Sequence, residues 1–485
     1  MDSAPHRRVP PAGLRYWLLP AAGTALLWWY TPNAVSTREA LLALALLFIP
    51  CYSYGRWQSR SRLRIPFFAV LALAYWAAFA MPLFLGRPPS DPQTHVRFRE
   101  PDVFAVLEMV CLGVVALGLG MKVRVRPLHA SWLSDILDSP GTWRYLYCMM
   151  ILGMVISLRE DWRVLGAGGA QLMIGLANVV PLTICAMLGI RVMQGTATKP
   201  QRIALGVFLT ARALIGVSIG ELGAVAFTAV ILGLVYLSER RRLPVTAIAV
   251  LVPLVLFLQV GKNAFRTVYW AADSHAGVAE RVEFWLNASF RAWSDALSSR
   301  ERRQSLDLFG QSVSRLDLLN QATNVVVKTP RVVPYQNGKA YSYLLATVVP
   351  RFVWPDKPSV NEANQYYQAA YGLTDRHALN TVSIAVGCLA ESFMNFGWWG
   401  VAPVMFAIGM VLSLFERTLL DRGSGLLFSG VGFALMSTLI SVELQAGQYL
   451  AGLMQQIAIV FLVALPVVRR RKTLEKRIYG LPEAV

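Results

Sequence analysis

The residues best suited to chemistry lie between Lys262 and Asn395, apart from one arginine, Arg212, that precedes them. His377, in Asp375-Arg376-His377, is the histidine nearest the C-terminal end of this interval. An imidazole beside a carboxylate is a general base near neutral pH, although a loop histidine can equally be a surface residue. Glu391 lies in "GCLAESFMNFGWWG", where a hydrophobic run resumes, with Asn395 one helical turn on. It reads as a base or an orienting group, or else as an interfacial helix cap. In "PRFVWPDKP" (350–358), prolines restrict the backbone and hold Arg351, Trp354 and Lys357 in fixed relation. An arginine fork fits phosphate oxygens and a tryptophan face fits sugar C–H bonds. The segment is therefore either a cationic, aromatic wall for pyrophosphate and sugar rings or a rigid turn with surface charges.

Two further groups flank this interval. Lys262 and Arg266 close the hydrophobic run that precedes it. Arg212 sits mid-way along another run, in "FLTARALIG". A guanidinium at mid-membrane depth costs roughly 3 kcal/mol on insertion scales, so Arg212 should face a cavity or a partner such as Glu108 or Glu221.

The elements that must position these groups are membrane helices. Of 485 residues, 55% are hydrophobic and 15% charged, and mean hydropathy is +0.47. Apolar runs of about 18 residues or more recur along the chain. About twelve spans are expected, near Leu14–Tyr30, Glu39–Tyr54, Pro66–Leu85, Val103–Met121, Trp143–Leu158, Ala167–Met193, Ile203–Ile219, Gly223–Leu237, Pro244–Val260, Trp398–Leu414, Gly425–Ser441 and Gln448–Val467. The first lacks a small-residue cleavage signature and reads as a retained helix.

Positive charge follows one phase of the loops. Arg7 and Arg8, then Arg56 to Arg64, Lys122 to Arg126, Arg191 to Arg202, Arg240 to Arg242 and the terminal "RRRKTLEKR" carry most of the short-loop Lys and Arg. The positive-inside rule then puts both termini in the cytoplasm and the long polar insert outside. The net charge of +18 thus belongs to membrane topology; no basic stripe interleaved with stacking aromatics points to nucleic acid. Five cysteines without CxxC spacing and five scattered histidines point to neither a disulfide framework nor a metal site.

The expected organisation is a transmembrane bundle over 1–262 (spans 1–9), an extracytoplasmic domain over 263–385, a second transmembrane part over 386–468 and a basic tail over 469–485. Inside the insert, Val282, Trp285, Leu286, Phe290, Trp293 and Leu297 recur at helical spacing, as do Val313, Leu316, Leu319 and Thr323. The proline-rich stretch from Pro330 to Pro358 is expected to be an ordered, irregular loop. From Lys262 to Arg376, 14 Lys and Arg face 10 Asp and Glu. That modest excess suits a cavity for one anionic group.

At "NGKAYSYLLATVVPRFVWPDKPS" and "GCLAESFMNFGWWG" the chain resembles the Wzy-type oligosaccharide repeat-unit polymerases. The shared pattern is a Gly-Tyr-containing run leading to Pro-Arg, then Trp-Pro-x-Lys-Pro, then Glu and Asn-Phe-Gly at the next span. Topology fits that family and the related O-antigen ligases. The resemblance implies a GT-C-like, all-α membrane glycosyltransferase of the bacterial inner membrane that needs no metal or cofactor. Its substrate would be an undecaprenyl-pyrophosphate-linked oligosaccharide, handled beside a flippase and a chain-length regulator of the same pathway. Arginines would stabilise the pyrophosphate leaving group: Arg351, Arg266 and Arg212, with Arg315 and Arg331 behind them. Lys262, Tyr341, Trp354, Lys357 and Asn395 would complete substrate binding. His377 or Glu391 would take the proton from the attacking hydroxyl; the likeness supports Arg351 and Glu391 directly and does not fix His377. The rivals are a ligase with the same donor and another acceptor, and a lipid-linked-oligosaccharide flippase or transporter.

Overall fold

The computed structural model describes residues 15–31, 35–60, 62–85, 88–127, 133–158, 162, 166–220, 222–269, 277–298, 317–348, 354, 361–374, 379 and 383–470. These residues are almost wholly helical, and the apolar runs account for it: in a bilayer only a helix satisfies its backbone internally. The helices of the first part are α1 (Arg15–Tyr30), α2 (Thr37–Arg60), α3 (Phe67–Tyr75), a π segment (Trp76–Ala80) and α4 (Met81–Leu85). They continue with α5 (Glu100–Lys122), α6 (Pro140–Ser157), α7 (Gly166–Met193), α8 (Lys199–Ile219), α9 (Leu222–Arg240) and α10 (Val245–Tyr269). The polar interval contributes α11 (Val278–Ser298), α12 (Leu319–Lys328), α13 (Lys339–Val348) and α14 (Glu362–Ala370). The chain ends with α15 (Gly387–Phe396), α16 (Trp398–Leu419), α17 (Leu426–Ala434), α18 (Met436–Leu439) and α19 (Ala446–Ala464).

Among the described residues, nine helices are long and apolar enough to cross a membrane. This makes the chain a multi-pass helical membrane protein. Each of the twelve expected runs forms helix, but three fall short of that standard. α1 has 16 residues, α6 opens on a polar turn with Arg144, and the eleventh run is broken at Leu435 into α17 and α18. Prolines 20, 50, 181, 253 and 403 lie inside helices, as membrane helices tolerate where neighbours satisfy the freed carbonyl.

The centre of the bundle is α5 against α16. They touch through glycines: a Cβ on Gly120 would run into the carbonyl oxygen of Phe406, and one on Gly409 into that of Leu117. Without a hydrophobic driving force between helices in lipid, such small-residue contacts let backbones approach and gain dispersion energy.

The loops with the short-loop positive charge gather at one end. There Arg64 pairs with Glu239 at 3.0 Å and Arg191 with Asp138 at 2.6 Å. The amide of Arg64 donates to the carbonyl of Leu420. A short strand, β1 (Leu133–Ile136), pairs antiparallel with β2 (Val468–Arg470), and the Asp135 carboxylate accepts from the first amides of α17, Leu426 at 2.8 Å and Leu427 at 3.1 Å. An anion there complements the positive helix N-terminus.

The polar interval packs at the opposite end. Ala78, inside the π segment, accepts the amide of Leu318 at 3.0 Å. Ser90 donates its amide to Asn320 at 2.8 Å, and Lys328 pairs with Asp91 at 3.2 Å. α12 is thereby pinned over α5. The helix expected from Val282 to Leu297 is α11, but only one side of it is covered. Trp285 is 1% exposed and donates to the carbonyl of Leu258 at 2.8 Å, whereas Leu286 and Phe290 are exposed. The side chain of Leu297, and residues 313–316 of the second expected segment, lie outside the described residues; Leu319 and Thr323 are buried on α12.

One expectation needs correcting. The stretch from Pro330 to Pro358 is not simply an irregular loop, because α13 lies inside it. Gly338, at φ 88°, supplies the left-handed turn before the helix. "KAYSYLLATV" then has no proline, so the punctuation brackets a helix instead of excluding one.

Candidate functional site

Glu391 is at the centre of the best-formed polar site. α15 is buried from Gly387 to Asn395, held between α16, α12, α13 and α19. Left-handed glycines bracket it, Gly387 at φ 73° and Gly397 at φ 62°; a Cβ on Gly397 would stand 2.7 Å from the Tyr335 hydroxyl. Glu391 has no solvent exposure. Its Oε2 accepts the amide of Ala446 at 2.7 Å, so the carboxylate caps the start of α19. Its Oε1 is buried and has no hydrogen-bond partner among the described residues. A lone buried carboxylate oxygen costs free energy unless a substrate or proton uses it.

Tyr341 is the second unsatisfied group beside it. Its ring stacks on Phe396 at 6.0 Å between centroids, and its hydroxyl is buried with no hydrogen-bond partner among the described residues. Burial, and then the nearby Glu391 carboxylate, pushes the phenol well above its ordinary value. Tyr341 therefore stays a neutral donor next to a carboxylate.

Asn395, expected at the substrate, is committed to the fold. Its Nδ2 donates to the carbonyl of Glu391 at 2.8 Å and its Oδ1 accepts the amide of Gly338 at 3.1 Å. The amides of Gln336 and Asn337 reach the carbonyls of Met394 and Asn395, both at 3.1 Å. This ladder fixes α15 to the turn before α13, so Asn395 positions both Glu391 and Tyr341.

Asp317 is a group the sequence reading missed. It stands just before α12, next to Leu318, whose side chain reaches Gly387 at the start of α15. Burial pushes its carboxyl up to about 6, against the amides of Asn320 and Leu319, which pull it down. An unfolded Asp titrates near 3.9, so the folded chain binds this proton more tightly. Asp317 thus contributes stability below about pH 4 and loses it as pH rises through about 6. Asp317→Asn keeps the acceptor oxygen for Asn320. It should flatten the fall in thermal midpoint from about pH 4 to 7, measured by unfolding of the purified protein across that range.

The arginines expected at the site lie elsewhere or outside the described residues. Arg212 lines a cleft of about 230 Å³ between α6, α7, α8 and α9, with Ser157, Trp162, Asn178 and Ile215. Its proposed partner Glu108 is exposed on α5, and Glu221 is outside the described residues. Lys262 is 6% exposed on α10, one turn from Arg266. Between them Phe265 fills the space over Gly220 at the end of α8. Arg331 is exposed in the turn after α12, and Trp354 is 44% exposed. His377, Arg351, Arg315 and Lys357 lie outside the described residues. Among the described residues no group of three His, Cys, Asp or Glu could hold a metal ion.

The fold and this buried carboxylate define a multi-pass helical membrane protein with a polar group enclosed where α15 packs against α12, α13, α16 and α19. The chain belongs to the family described as domain of unknown function DUF8712, which matches residues 109–444. That match runs from within α5 to just before α19 and so contains Asp317, Tyr341 and Glu391. No curated protein and no solved structure matches the chain.

Proposed function

We propose that this protein is an integral-membrane glycosyltransferase that joins undecaprenyl-pyrophosphate-linked oligosaccharide repeat units. In this reading the chain has twelve spans and cytoplasmic termini, and the polar interval works at the outer face of the bacterial inner membrane. The observation that carries the proposal is the buried, half-satisfied carboxylate of Glu391 beside the neutral Tyr341 hydroxyl. Both residues lie in the two sequence stretches that resemble the repeat-unit polymerases.

The chemistry is a displacement at the anomeric carbon. The acceptor sugar hydroxyl forms the new C–O bond while the bond from that carbon to the pyrophosphate oxygen breaks. Glu391 Oε1 takes the hydroxyl proton, and undecaprenyl pyrophosphate leaves with the electron pair. Arg351, with Arg212 and Arg266 along the donor's path, would stabilise the developing charge. His377 remains the second candidate base.

The direct test is purified protein supplied with a lipid-pyrophosphate repeat unit and scored for polymer. Arg351→Ala should lower the rate by about a hundredfold to a thousandfold, as loss of one charge-stabilising donor does; full activity in that variant would remove Arg351 from the site. Polymer formed only on a different acceptor would identify a ligase, and transfer of the lipid across vesicles without any new bond would identify a flippase.

A further inference from the structure

A second polar cavity, of about 210 Å³, lies at the far end of α16 from Glu391. The turn between α2 and α3, the end of α9 and the turn between α16 and α17 meet there. Arg64, Gln194, Ser238, Glu239 and Arg422 line it. Its one lining carboxylate is already engaged: Glu239 accepts from Arg64 at 3.0 Å, from Gln194 at 3.2 Å and from Ser238 at 3.3 Å. Arg422 instead donates to the carbonyl of Ser238 at 3.5 Å and forms no ion pair among the described residues.

A third guanidinium sits behind these. Arg241 lies 4.6 Å over the Trp57 ring and donates to the Trp57 carbonyl at 3.1 Å. Burial draws Arg64 below its ordinary value; Glu239 opposes this and Arg422 adds to it. Burial and then Arg422 draw Arg241 down as well. Asp421 is the one further carboxylate that acts on Arg64. Three cations thus crowd a half-buried space, and an anion placed among them would relieve their repulsion.

We propose that this cavity binds a phosphate group, carried by the headgroup of an anionic phospholipid. Arginine forks match phosphate oxygens, and Gln194 Nε2, which gives one hydrogen to Glu239, has a second to donate beside them. The position argues for lipid as the source. α2, α9 and α16 are among the helices able to cross a membrane, and they end at this cavity, which a bilayer spanned by them would put beside its headgroups. Basic pockets between helix ends are a recurring way of holding such headgroups.

The test is thermal unfolding of the purified full-length protein in zwitterionic detergent. Phosphatidylglycerol, phosphatidylcholine and inorganic phosphate are titrated separately. Phosphatidylglycerol should raise the midpoint and phosphatidylcholine should not, since a ligand that binds only the folded state stabilises it. Arg422 is exposed, so Arg422→Gln should fold, yet need about tenfold more phosphatidylglycerol for the same shift. Arg422→Lys, with the charge but not the fork, should fall between. Inorganic phosphate reproducing the Arg422-dependent shift without phosphatidylglycerol doing so would keep the site and assign it soluble phosphate. No shift with either anion, or equal shifts in wild type and Arg422→Gln, would overturn the proposal.

Discussion

Glu391→Gln should lower polymer formation by roughly a hundredfold to ten-thousandfold, the usual worth of a positioned general base, while leaving the thermal midpoint close to that of the wild type. The two halves of this result come from the two oxygens. Oε2 accepts the amide of Ala446, and a glutamine carbonyl oxygen can do the same, so the start of α19 stays capped. Oε1 has no hydrogen-bond partner among the described residues; turned into an amide nitrogen, it can no longer accept a proton. Glu391→Ala should lose activity too, but it also strands the buried amide of Ala446 and should destabilise by about 1–3 kcal/mol. Comparing the pair by polymer assay and thermal unfolding separates a chemical role from a structural one. Wild-type activity in Glu391→Gln would leave His377 as the base to test.

The sequence carried the bundle because hydropathy is a local property. Each apolar run forms helix, and the alternation of Lys and Arg between loops reappears as a gathering of Arg64, Arg191 and Arg241 at one end of the bundle. What stayed hidden depends on distant neighbours. Glu391 stands out within its own stretch, but the amide that holds it comes from Ala446, 55 residues on. Asn395 reads as a substrate group until the turn at Gly338 is seen to use its side chain. Asp317 has no motif around it; its raised pKa comes from burial, which only the docking of α12 creates. α13 was missed for a different reason: prolines on both sides make its surroundings look irregular, although its own ten residues favour a helix.

The packing at the middle of the bundle predicts an opposite response to the same kind of change at two glycines. Gly409→Val should destabilise the protein by about 3 kcal/mol or more, at or beyond the upper range for overpacking a close-fitting interior. The added Cβ would meet the carbonyl oxygen of Leu117 and stand 3.1 Å from the Cα of Gly120. Backbone cannot rotate aside as a side chain can, so α5 and α16 would have to separate along their contact. Gly206, mid-way along α8, has nothing within 4 Å of where its Cβ would be. Gly206→Ala adds no clash and removes unfolded-state freedom, so it should stabilise by about 0.5–1 kcal/mol. Thermal unfolding of both variants in one detergent checks the pair, and a midpoint for Gly409→Val equal to wild type would mean that α5 and α16 do not approach this closely. The consequence reaches the site, because α16 follows directly from α15. A bundle pried open at Gly409 should therefore also lose the Glu391 geometry, and its polymer assay should fall together with its midpoint, whereas Glu391→Gln lowers activity alone.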